Sequence, residues 1–113
     1  MSPSTADVLL HILDELEYLS RAASSLDREA FLRDEDRRRA FVRSLEIVGE
    51  ATKRLPVDVR AAATSIDWRA MAGMRDRLIH GYFAVDYELV WDVVVSEVPS
   101  LRRQVRSLLD QHR

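Results

Sequence analysis

The sequence predicts an all-α fold, an up-and-down bundle of four to five helices in a single domain over residues 1–113. Three observations predict it. Apolar residues recur at three- and four-residue steps through most of the chain. Only three glycines and three prolines are present, too few for the many tight turns of an all-β fold. The composition, 47% hydrophobic and 32% charged, is that of a globular chain with one sizeable core.

Each element has its own signal. Ser4-Thr5-Ala6-Asp7 reads as a capping start, with a hydroxyl three residues before an acid. Leu9, Ile12, Leu16, Leu19 and Ala23 then line one face of a first helix. Asp27 caps a short helical piece through Phe31 and Leu32. A long helix follows from about Asp34 to Leu55, with Phe41, Leu45, Val48 and Leu55 on its apolar face and Val42 and Ala51 alongside. Pro56 stops it, and a short helix over residues 56–63 is expected. Asp67 caps a helix from Trp68 to about His80, with Gly81 as its exit. The last long helix starts near Asp86. Its stripe is Val90, Val94, Val98, Leu101, Val105 and Leu108, and Pro99 should kink or split it. Val93-Val94-Val95 has strand character, but the surrounding stripe favours helix.

Composition bounds function. No cysteine occurs, which removes disulfides, thiolate metal sites and thiol nucleophiles and fits a reducing, cytoplasmic setting. The N-terminus has no basic region followed by a long apolar run, so neither a signal peptide nor a membrane span is expected. A net charge of −2 argues against a protein that coats nucleic acid generally. The charge is uneven, however: −6 over residues 1–36 and +4 over residues 37–113. Sixteen of the seventeen basic residues are arginine, whose planar fork matches phosphate; codon bias would give the same skew.

The segment Arg75-Asp76-Arg77-Leu78-Ile79-His80-Gly81-Tyr82 carries the chemistry. Its pattern is Arg-x4-His-x-Tyr. In this composition about 0.4 Arg-x4-His matches arise by chance, and requiring the tyrosine lowers that to about 0.01. Arg75 can hold an oxyanion, and His80 can move a proton near neutral pH. On an ideal helix, residues five apart are rotated by roughly 140°, so Arg75 and His80 would not share a narrow face. Asp76 and His80, four apart, would, so Asp76 is expected to orient the imidazole or stabilise its charged form while Arg75 reaches round. The offset suggests a site completed by a second copy across a two-fold axis. Two histidines and two arginines in one cleft suit RNA cleavage through the ribose 2′-hydroxyl, with no metal and no cofactor.

At these residues the chain resembles the HEPN superfamily, and within it the HepT-like toxins of toxin–antitoxin pairs. Leu45-Glu46-Ile47-Val48-Gly49-Glu50-Ala51 is similar to the family's Leu-Glu-Ile-Ile-Gly-Glu-Ala stretch. Ile66-Asp67-Trp68-Arg69-Ala70-Met71-Ala72-Gly73-Met74 is similar to the run before its Arg-x4-His-x-Tyr signature. The resemblance covers nearly the whole chain. It implies an all-helical homodimer with endoribonuclease activity that leaves 2′,3′-cyclic phosphate ends. It also implies a cognate nucleotidyltransferase (MNT-type) antitoxin that transfers AMP onto the tyrosine of the signature. Carried over, Arg75 and His80 are the catalytic pair, Asp76 supports them, and Tyr82 is the AMPylation site. AMP there would put bulk and negative charge in the cleft that receives RNA phosphate. An alternative is a non-catalytic helical dimer that binds and regulates a nucleotidyltransferase. A third reading is a nucleotide-binding regulator.

Each candidate also has a structural reading. Arg75 could pair with Asp76 or a neighbouring helix, and His80 could bond a free helix carbonyl. Tyr82, Phe83 and Tyr87 could be core or interface aromatics. Arg77, Arg102, Arg103 and Arg106 are candidate contacts to RNA or to an acidic partner. Arg37, Arg38 and Arg39 read as a solvated face offset by Asp34, Glu35 and Asp36. Gly49 and Gly73, inside helical patterns, each cost about 1 kcal/mol relative to alanine, so a close approach of another helix is expected at each, while Gly73, one turn before the signature, could instead admit RNA. Glu50 supports the site from a facing helix or is a salt-bridge partner.

Overall fold

A computed structural model describes residues 3–80 and 84–113. Among them are eight helical segments and one isolated β-bridge. α1 (Thr5–Ser24) opens with both halves of a capping box. The Ser4 hydroxyl accepts from the Asp7 N–H at 3.1 Å, and the Asp7 carboxylate accepts from the Ser4 N–H at 3.2 Å. α2 (Arg28–Arg33) and α3 (Glu35–Lys53) are capped by Asp27 and Asp34. α4 (Val57–Ala62) begins directly after Pro56.

The remaining elements show two departures from the expected helices. The single helix expected over 68–80 is two short ones, α5 (Trp68–Ala72) and α6 (Met74–Leu78), broken at Gly73. The last helix is split at Glu97 into α7 (Tyr87–Ser96) and α8 (Val98–His112). Pro99 causes that split without loss, since in the first turn of α8 its missing N–H has no helical partner to lose.

α1 is the centre of the bundle, packed between α3 and α8, with α7 also against it; α5 and α6 lie on α3. The expected stripes face inward. Leu9, Ile12, Leu16 and Leu19 of α1, Phe41, Leu45 and Val48 of α3, and Val90, Val94, Val98 and Val105 of α7–α8 are all buried. Val93 is buried within α7 as well. Phe31 of α2 stacks between Phe41 and Trp91, with ring centroids 4.8 and 5.3 Å away.

Gly49 has the role its place suggested, within one chain. A Cβ there would stand 3.2 Å from the Met71 carbonyl and 3.5 Å from that of Ala72, so glycine lets the end of α5 lie against α3. The arginine run is less solvated than expected. Arg37 donates to the Tyr18 hydroxyl at 3.3 Å, and Arg38 lies 4.9 Å above the Tyr87 ring. Of the three, among the described residues only Arg39 pairs with an acid, Glu35. Among the described residues no helix is long and apolar enough to cross a membrane.

Candidate active site

The signature begins on α6. Met74 and Leu78, four apart, are buried and fasten this single turn to the core. The three residues between them, Arg75, Asp76 and Arg77, are therefore turned outward and exposed. Beyond Leu78 the helix stops. Ile79 is extended and bridges antiparallel to Val85. The Asp86 N–H donates to the Leu78 carbonyl at 3.0 Å, and the His80 N–H donates to the Ala84 carbonyl at 2.7 Å. These bonds tie residues 78–80 to residues 84–86, and His80 is exposed. Asp86 then caps α7 by accepting from the Leu89 N–H.

This geometry corrects the helical reading of the motif. His80 is not on a helix, so Asp76 and His80 are not stacked one turn apart. Asp76 is 90% exposed, and its carboxylate lies 3.8 Å from the Arg75 guanidinium. β-branched Ile79 half-buries its side chain by pairing with Val85, and that contact overrides continuation of the spiral. Gly81 and Tyr82, the expected helix exit and modification site, lie outside the described residues, as does Phe83.

A residue that sequence reasoning passed over meets Arg75. Glu46 of α3 places its carboxylate 3.8 Å from Arg75 Nε and is only 29% exposed. The signal was present: Glu46 is three residues before Gly49, so it looks toward the same neighbouring segment. Glu50, the acid considered for that role, instead pairs with Lys53 at 3.2 Å on the exposed side.

The other arginines are differently engaged. Arg77 makes a two-pronged pair with Glu97, at 3.0 and 2.7 Å, tying α6 to the α7–α8 junction. Those hydrogen bonds raise the Arg77 pKa further, outweighing the small opposite effect of burial. Arg106 is paired with Glu17 of α1. Arg102 is half-buried beside Pro99 and the end of α1, and Arg103 lines a groove with residues 62–66. Arg75, Asp76 and Arg77 are exposed on α6 and His80 is exposed just beyond its end, while the α8 arginines lie on other surfaces. Among the described residues no three His, Asp or Glu side chains converge as a metal-ligand set.

An exposed arginine near a carboxylate and an exposed histidine five residues on are the residue types that can grip an oxyanion and shuttle a proton. Comparison with known proteins points the same way. The family model described as Ribonuclease HepT-like matches residues 12–108. A Caldanaerobacter subterraneus subsp. tengcongensis protein named "Putative RNase TTE0752" is 44% identical over 105 residues, covering 93% of this chain and 94% of its own. "Probable ribonuclease HepT" of Thermococcus cleftensis is 39% identical over 108 residues, covering 96% and 98%. "Putative RNase MJ0127" of Methanocaldococcus jannaschii is 35% identical over 101 residues, covering 89% and 84%. No solved structure gives a significant match. With most of its length matched by one family model and by relatives of similar size, this chain belongs to the ribonuclease HepT-like family.

Proposed function

We propose that this chain is a metal-independent endoribonuclease, the toxin of a toxin–antitoxin pair, working as a homodimer with a composite site. The observation that carries the reading is that Arg75, 3.8 Å from the Glu46 carboxylate, and His80, just past the end of α6, are both exposed. The names of the relatives support RNA as substrate.

In the proposed mechanism, Nε2 or Nδ1 of one neutral His80 removes the proton from a ribose 2′-hydroxyl. The 2′-oxygen attacks the adjacent phosphorus, and the P–O5′ bond breaks. The partner's His80, protonated at the outset, delivers its proton to the departing 5′-oxygen. The products are a 2′,3′-cyclic phosphate and a 5′-hydroxyl. Arg75 holds the charge that builds on the non-bridging oxygens, an electrostatic contribution of about 100- to 1000-fold for one such donor. DNA, lacking the 2′-hydroxyl, is not cut. A nucleotidyltransferase antitoxin silences the site by placing AMP on Tyr82.

Expression in growing cells tests this reading against a non-catalytic partner-binding module. Arg75→Ala and His80→Ala should each relieve growth arrest at unchanged protein level and helicity. If both variants arrest growth as the unaltered chain does, the catalytic reading fails.

A further inference from the structure

We propose that the groove between the start of α1 and α3 is a second RNA-binding track, which carries the strand away from Arg75 by its phosphates. The inference rests on the ribonuclease reading for its choice of ligand. The groove has a volume of about 350 Å³ and is lined by Arg43, Arg54 and His11 over a floor of Val8, Ile47 and Ala51.

Its lining holds two acids beside the two arginines and the histidine. The two acids at its edge are engaged elsewhere: Asp7 in the α1 capping box and Glu50 with Lys53. Both arginines are exposed, and among the described residues neither has a carboxylate partner. They contrast with Arg77 and Arg106, whose guanidinium groups are held by Glu97 and Glu17.

The track is continuous with the candidate site. Arg43 precedes Glu46 by three residues on α3, so the two side chains are surface neighbours. Glu46 in turn meets Arg75. Arg54 lies eleven residues beyond Arg43, about 16 Å further along the helix axis, a span that requires an extended strand rather than one phosphate.

The test uses the full chain carrying His80→Ala, so that RNA is bound without being cut. Its affinity for a short labelled single-stranded RNA is measured across a salt series. Arg43→Ala with Arg54→Ala should weaken binding and flatten the slope of log affinity against log salt by about 0.7 per arginine removed. Arg43→Lys with Arg54→Lys should restore most of the slope, and Arg39→Ala, outside the groove, should leave it unchanged. An unchanged slope in the double alanine variant, an equal loss in Arg39→Ala, or no RNA binding at all would overturn the proposal. So would ATP, free of RNA, binding the groove more tightly than the strand does. Cleavage by the native chain is scored separately. Cleavage with an unaltered slope removes the track alone, whereas a flattened slope without cleavage removes the ribonuclease reading and keeps the track.

Discussion

Glu46 and Arg75 separate stability from activity at the scale of single residues. Arg75 is 52% exposed, so its pairing with Glu46 contributes at most about 1 kcal/mol to folding. Its effect on positioning can be larger, because a small misplacement of a catalytic group costs up to about 100-fold in rate. Glu46→Ala should therefore lower the cleavage rate about 10- to 100-fold with little change in melting temperature. Glu46→Gln, which keeps an acceptor, should recover part of it, and the loss should fall on kcat more than on KM. Equal losses of melting temperature and rate would make Glu46 merely structural. Arg77 should behave oppositely. Its paired fork ties two elements, so Arg77→Lys and Arg77→Ala should both lower the melting temperature, with Lys rescuing little because it lacks the fork. Because the Arg77 pKa is raised, the stabilisation from its charge is complete below the ordinary arginine range and lost only above it. The destabilisation by Arg77→Ala should thus be the same at about pH 6 and about pH 9.

Most elements were legible in the sequence because local and tertiary preferences agreed. Ser4, Asp27, Asp34, Asp67 and Asp86 sit where caps were expected or needed, and the side chain of each accepts from a backbone N–H in the first turn. The segment from Trp68 to His80 was not fully legible, because tertiary contacts decide it. Gly73 breaks the helix in a run whose periodicity continues through Met71, Met74 and Leu78. Ile79 then leaves the helix for a partner, Val85, that no local pattern announces. The candidate site inherits this limit: Arg75 and His80 could be named from the motif, while their geometry and Glu46 needed the packing of α5 and α6 on α3. Gly49 controls that packing. Gly49→Val would drive methyl groups into the Met71 and Ala72 carbonyls, 3.2 and 3.5 Å from the Cβ position. It should cost about 1–3 kcal/mol by chemical denaturation. It should also lower cleavage under conditions where the protein remains folded, since it pushes α6 and Arg75 away from Glu46.

At the scale of the whole molecule, one chain supplies a single His80 and a single Arg75, whereas the proposed reaction uses an acid and a base together. A dimer reconciles the two and makes a specific prediction. His80→Ala chains added in excess to unaltered chains should abolish nearly all activity, because a mixed dimer keeps only one of the two imidazoles. Activity that falls only in proportion to the share of unaltered chain, with subunit exchange verified, would place each site within a single chain. The uneven charge fits the same picture, with the negative excess in residues 1–36 and the signature in the positive remainder. The most direct test of the central claim is cleavage of cellular RNA in EDTA by protein verified by mass to be unmodified at Tyr82, beside its His80→Ala variant. Cleavage by the former alone, leaving 2′,3′-cyclic phosphate ends, is the predicted result. Intact RNA with both proteins, or equal cleavage by both, would contradict it.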